Sequence, residues 1–219
     1  MFKRNAKGIF VKFSRVKISI YFENFLCNKP FSRKKQNALL DRRCHTEYQL
    51  TKAKFLSPLE RNQLLKTLEM LEGKDARNVA ILRLYDNTGA RPSEVLNLRV
   101  KDLYPESSSV FIRGLKGSRS REIPIPKSLF KQVQTFAGGK GPEELLFPIS
   151  LRTMQGIWHL YRPCKKGLRC LRHTFAIRLY EKTKDIRLVQ TALGHKSLMN
   201  TQVYSEYVYN QQELRRLIL

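Results

Sequence analysis

The chain has 219 residues, 42 of them Lys or Arg and 18 Asp or Glu, for a formal net charge of +24. Such a length suits one domain of ordinary size, or one domain plus a small appendage. A hydrophobic share of 42% supplies a real core and excludes general disorder. The cationic excess points to a polyanionic partner, because phosphate backbones reward Lys and Arg. No run approaches the ~18 apolar residues of a spanning helix, and the most apolar early stretch, 9–27, is broken by Lys12, Arg15, Lys17 and Glu23. A membrane partner is therefore not expected.

Four cysteines (Cys27, Cys44, Cys164 and Cys170) form no disulfide framework, which fits a reducing, cytoplasmic setting. Cys164, Cys170 and His173 lack a fourth ligand at metal spacing, so neither a metal nor a cofactor is expected. Residues 1–56 hold 14 Lys and Arg against 3 Asp and Glu, including Arg33-Lys34-Lys35 and Arg42-Arg43. Residues 1–55 read as a basic N-terminal arm, partly disordered or a vestigial DNA-binding segment. Phe13, Ile18 and Ile20 give the arm one strand-like pattern.

Residues 56–209 read as a folded domain. Ser57-Pro58-Leu59-Glu60 is a capping box with proline at the first helical position, and Leu64, Leu65, Leu68 and Leu71 follow at helical spacing. A second helix carries Val79, Leu82 and Tyr85 and ends near Gly89; a third opens at Pro92. Val110-Phe111-Ile112 and Ile123-Pro124-Ile125 flank a basic, glycine-containing loop, which predicts a hairpin. The segment 138–142 is a loop, and helical periodicity returns around Met154–Leu160, Leu171–Lys182 and Ile186–Leu193, with Gly194 as a stop. Residues 210–219 form a tail in which Leu214, Leu217 and Ile218 suit a short amphipathic helix, docked in cis or on a neighbouring protomer. The expected fold class is mainly α with a small antiparallel β-sheet (α+β).

Arg91 precedes a helix start, where free N–H groups and a guanidinium together suit a phosphate. Singly, it is one more surface arginine, as are Arg169 and Arg172. In order, however, the segments 88–94 (TGARPSE), 171–176 (LRHTFA), 193–195 (LGH) and 201–204 (TQVY) resemble the signature segments of the tyrosine recombinases, the phage integrase family. The hairpin segment 116–121 (KGSRSR) is similar to that family's lysine hairpin. His195 stands 23 positions after Arg172, and Tyr204 stands 9 after His195, in agreement with the family.

The resemblance covers about residues 55–209 and implies a catalytic domain that cleaves and rejoins double-stranded DNA through a 3′-phosphotyrosyl link. It implies Tyr204 as nucleophile, Arg91 and Arg172 on the non-bridging oxygens, Lys116 as general acid and His195 as a further phosphate donor. Tyr207 and Tyr209 lie nearby, but only Tyr204 has the family's spacing from His195. The family commonly has histidine three residues before the second arginine, where this chain has Arg169, which stays protonated and cannot act as an ordinary base. His173 reads as a packed structural histidine, Glu94 as a structural carboxylate supporting Arg91, and Glu143-Glu144 as solvated.

A family-like core-binding domain is not evident in the basic arm. The implied partners are a second DNA site in a homo-tetramer and an accessory DNA-binding protein. Two other outcomes stay open: a type IB topoisomerase-like enzyme, and a non-catalytic DNA-binding remnant of an integrase.

Overall fold

The computed structural model describes residues 49–115 and 117–219. Residues 1–48 of the basic arm, with the Phe13, Ile18 and Ile20 pattern, and Lys116 lie outside the described residues, whereas the arm's last residues, 49–55, are described.

Helix α1 (Pro58–Leu71) starts on the expected capping box: Glu60 N–H donates to Ser57 Oγ, and Ser57 N–H donates back to the Glu60 carboxylate. Such a cap is worth about 1 kcal/mol. The helix buries Leu64 and Leu68, while Leu65 and Leu71 are only partly covered. Helix α2 (Ala76–Thr88) is nearly surrounded by protein and stops at Gly89 in the left-handed conformation, φ +58°. Helix α3 (Pro92–Leu96) opens on proline as expected, and Leu98 is buried just beyond it.

The sheet has three antiparallel strands in the order β1 (Leu103–Tyr104), β2 (Ser109–Ile112), β3 (Arg121–Pro124). The β2–β3 hairpin is the one the alternation predicts, with Val110 opposite Ile123 and Ile112 opposite Arg121. Strand β1 spans two residues, too few for a period-2 pattern to reveal. Alternation along β3 turns Arg121 and Ile123 to the same, inner face.

Helix α4 (Lys127–Thr135) follows, a short element with Leu129, Phe130 and Val133 inward that the sequence reading leaves out. Helices α5 (Leu151–Tyr161), α6 (Cys170–Thr183) and α7 (Ile186–Leu193) match the expected periodicity to within a few residues. The C-terminal segment differs from the expected short tail helix. Helix α8 runs unbroken over Met199–Ile218, so residues 210–219 continue the helix that bears Tyr204.

The apolar interior has two clusters. The larger gathers α1 to α5, the sheet and the start of α6 around Trp158, Tyr85 and Phe147. The smaller joins α6, α7 and α8 through Ala176, Ile177, Val189, Leu193, Tyr204 and Val208. Leu50 and Phe55 belong to this second cluster, and the Phe55 ring meets that of Tyr207 edge-on at 5.2 Å. Packing thus begins several residues before the capping box at Ser57. Among the described residues no helix is long and apolar enough to cross a membrane.

Candidate active site

The left-handed turn at Gly89 brings the end of α2 against α6. A Cβ on Gly89 would stand 2.3 Å from Phe175 Cδ1, so only glycine allows this approach. The approach places the Gly89 carbonyl beside Arg172, whose Nη1 donates to it at 2.6 Å. Arg172 Nη2 donates to the Leu193 carbonyl at 2.9 Å and lies 2.9 Å from His195 Nε2. A guanidinium offers only donors, so His195 Nε2 accepts and the ring proton sits on Nδ1. From there it is donated to Thr201 Oγ1, 2.9 Å away on α8.

Burial, reinforced by the nearby Arg91 charge, lowers Arg172 to about 10, so it remains cationic at neutral pH. Burial and the charges of Arg172, Arg91 and Arg121 lower His195 to about 4, which leaves its ring neutral.

Glu94 is the hub of the second half. Its carboxylate is buried and accepts from the Arg91 N–H (2.9 Å), Arg91 Nη1 (3.0 Å) and Arg121 Nη2 (2.9 Å), with Ser118 Oγ at 2.6 Å. Burial alone would raise the carboxyl. Hydrogen bonds from Arg121, the Arg91 backbone and Ser118 outweigh it and hold the group at about 2. The expected support of Arg91 by Glu94 is thus present, and the carboxylate reaches further than expected. Arg121 Nε also donates to the Ala192 carbonyl at 2.6 Å, and the Arg119 N–H donates to the Gly194 carbonyl at 2.9 Å. The hairpin base is therefore tied both to the Arg91 turn and to the Gly194-His195 turn.

Tyr204 projects from α8 into the smaller core and is 3% exposed. Its hydroxyl lies 3.0 Å from His173 Nδ1. The two rings are tilted at 46° with centroids 5.9 Å apart, so they meet through their polar atoms rather than by stacking. Burial, then the charges of Arg172, Lys54 and Arg169, lower His173 to about 4. His173 is half-buried in the packing expected of it, but it is also the hydroxyl's partner, a relation the sequence reading does not contain.

Arg169 is exposed at the N-terminal cap of α6 and forms no ion pair among the described residues. Tyr207 packs on Phe55, and Tyr209 is exposed. Glu143, expected to be solvated, forms surface ion pairs with Arg99 and Lys101. Cys170 is buried, and burial pushes its thiol up to about 12. No group of three or more His, Cys, Asp or Glu side chains is disposed to hold a metal among the described residues.

Of the sequence-predicted set, Arg172 and His195 are in direct contact, Arg91 is tied through Glu94 and Arg121 to the adjacent Ala192 carbonyl at the end of α7, and Tyr204 hangs from the helix that also bonds His195. Sequence reasoning missed Ser118, Arg121, Thr201 and the His173 contact. A charged residue on the inner face of β3 was the available signal for Arg121.

The chain is similar to known proteins over the same region. The tyrosine recombinase XerA of Pyrococcus furiosus is 31% identical over 160 residues, covering 67% of this chain and 56% of that protein. XerH of Campylobacter jejuni is 32% identical over 180 residues, covering 70% and 48%. This chain spans about half the length of those relatives. Among solved structures, the XerH recombinase in a post-cleavage complex with its palindromic difH substrate superposes with a TM-score of 0.61 at 26% identity, covering 77% of this chain and 54% of that one. The catalytic domain of bacteriophage HP1 integrase shares the fold, with a TM-score of 0.54 at 23% identity, covering 70% and 87%. The family model for phage integrases matches residues 54–211, nearly the span that holds the arginine–histidine network and Tyr204. The chain therefore belongs to the phage integrase family, the tyrosine recombinases.

Proposed function

We propose that the protein is a site-specific DNA recombinase that cleaves and rejoins double-stranded DNA through a 3′-phosphotyrosyl intermediate at Tyr204. The observation that carries this reading is the linkage of Arg172 to His195, and of His195 through Thr201 to the Tyr204 helix. In cleavage the Tyr204 oxygen bonds to phosphorus and the phosphorus–O5′ bond breaks. The departing 5′-oxygen takes a proton from Lys116, the role implied by the family resemblance. Arg91 and Arg172 stabilise the charge on the non-bridging oxygens, held in place by Glu94 and by the Gly89 and Leu193 carbonyls. The phosphotyrosyl bond conserves the energy of the broken linkage, so rejoining needs no external energy source.

His195 enters this scheme as a neutral ring whose Nε2 already accepts from Arg172. A bound phosphate competes for that arginine, and donation from Nε2 to the phosphate follows a shift of the proton from Nδ1. Arg169 adds phosphate-binding charge but accepts no proton, and this departure lowers the rate. Arg169→His is expected to raise it.

The DNA partner is supported by the net charge of +24 and by the relatives' complexes with DNA. Two duplex sites held by a homo-tetramer, with an accessory DNA-binding protein sharpening site choice, complete the proposal. A nicked suicide duplex carrying the native site tests it. A covalent protein–DNA adduct that disappears in Tyr204→Phe is expected. Duplex binding with no adduct would instead mark a non-catalytic remnant, and relaxation of plasmid lacking any site would mark a topoisomerase.

A further inference from the structure

We propose that His173 is the proton acceptor for the Tyr204 hydroxyl during DNA cleavage. This inference rests on Tyr204 being the nucleophile. A phenol with an ordinary pKa near 10 has to lose its proton as it attacks phosphorus, so an acceptor within hydrogen-bond reach is required. At 169 stands an arginine, whose guanidinium offers donors and no acceptor.

His173 meets the requirement by position. Its Nδ1 lies 3.0 Å from the Tyr204 hydroxyl, and both side chains project from long helices, α6 and α8, that pack against each other. The contact is thus set by rigid elements and not by a loop. In the free protein the imidazole is kept neutral by burial and by the charges of Arg172, Lys54 and Arg169. A neutral ring carries a nitrogen lone pair, and Nδ1 is the nitrogen that faces the Tyr204 hydroxyl.

The same cations explain when that lone pair becomes useful. Arg172, and Arg169 at the cap of α6, are phosphate-binding groups in the proposed complex. A scissile phosphate seated among them offsets their field, and the imidazolium is then opposed by less positive charge. DNA binding therefore strengthens the base at the moment a proton has to be taken. In the forward step the proton passes from the Tyr204 oxygen to His173 Nδ1 while the oxygen–phosphorus bond forms and the 5′-oxygen leaves with a proton from the general acid. On rejoining, His173 returns the proton to the phenolic oxygen as the phosphotyrosyl bond breaks.

The test is single-turnover cleavage of the nicked suicide duplex by the full chain. His173→Gln keeps a polar side chain but takes up no proton. Adduct formation is expected to fall about 10²- to 10³-fold, with duplex binding and melting temperature near those of the parent. Replacing Tyr204 by a fluorinated tyrosine, whose phenol ionises near neutral pH, is expected to restore most of the lost rate in the His173→Gln background.

Near-parental cleavage by His173→Gln would overturn the inference, and so would a loss that the fluorinated phenol does not recover. Faster cleavage would overturn it as well, revealing His173 as a latch that parks the hydroxyl. Should His173→Gln lose its fold, His173→Asn serves under the same binding and melting controls. The nucleophile assignment fails separately: a parent chain that forms no adduct, or an adduct that survives Tyr204→Phe, removes Tyr204 itself.

Discussion

Ser118 Oγ lies 2.6 Å from Glu94 Oε1, joining the base of the β2–β3 loop to the carboxylate that positions Arg91. The end of the loop after β2 is thereby anchored to the Arg91–Glu94 turn, which binds phosphate in the proposed reaction. Ser118→Ala removes one hydrogen bond to a buried charge, worth about 1.5–3 kcal/mol at most. Single-turnover cleavage is expected to drop roughly tenfold, equivalent to about 1.4 kcal/mol in the barrier, with duplex affinity in a gel shift unchanged. Unaltered cleavage would show that the anchor is dispensable.

Arg121 is a stronger dependency. Its side chain is 3% exposed and paired with Glu94, which is fully enclosed. Removing one member of such a pair leaves an uncompensated buried charge, at a cost of about 3–5 kcal/mol. Arg121→Ala is expected to lower the denaturation midpoint accordingly, and Arg121→Ala/Glu94→Gln to recover part of the loss, measured by urea unfolding.

Arg172→Ala separates chemistry from attraction. The guanidinium is one donor group among 42 basic residues, so long-range pull on the duplex changes little. In the proposed reaction Arg172 is a preorganised donor to the scissile phosphate, and loss of such a donor costs about 10²–10³ in rate. Adduct formation by Arg172→Ala is expected to fall by that factor while binding at low salt persists.

Acid stability should decline in two stages. His173 and His195 have folded values of about 4 against 6.5 when unexposed to the fold, so the unfolded chain takes up protons first as pH falls. Their contribution is complete above about 6.5 and is lost toward about 4. Glu94, at about 2 against 4.5, adds a second loss between those values. Melting temperature measured against pH should show both limbs, and His195→Gln should flatten the first while leaving the second.

Gly194→Ala tests the other turn. Gly194 has φ +68°, and a Cβ there would meet the Arg119 carbonyl oxygen at 2.6 Å and Arg121 Nη1 at 2.8 Å. Backbone strain alone costs about 1–3 kcal/mol, and the contacts push on the residues that hold the hairpin base. A melting temperature lowered by several degrees, together with slower cleavage, is the expected result.

Much of this architecture is legible in the chain itself. The capping box at Ser57, the glycine stops at Gly89 and Gly194, and the β2–β3 alternation are local signals, and each element forms where its signal stands. Arg91, Arg172, His195 and Tyr204 are readable as one set because their order and intervals match a family. What escapes is non-local. Arg121 reaches Glu94 across 27 positions and Ala192 across 71, and no periodicity encodes such contacts. His173 and Tyr204 stand 31 apart, so their meeting depends on how α6 and α8 pack. The continuity of the tail helix with the Tyr204 helix escapes for a different reason: the stretch between them is polar, and packing turns only Thr201, Tyr204 and Val208 inward.

Gly89 holds three duties in one residue: it ends a helix, makes room for the Phe175 ring, and lends its carbonyl to Arg172. Chain reversal and the seating of Arg172 are thus bound together at this position. A lineage drifting away from catalysis would gain no freedom to vary here, since the fold would still demand the same residue; persistence of this glycine in a sibling sequence therefore testifies to architecture and is silent about activity.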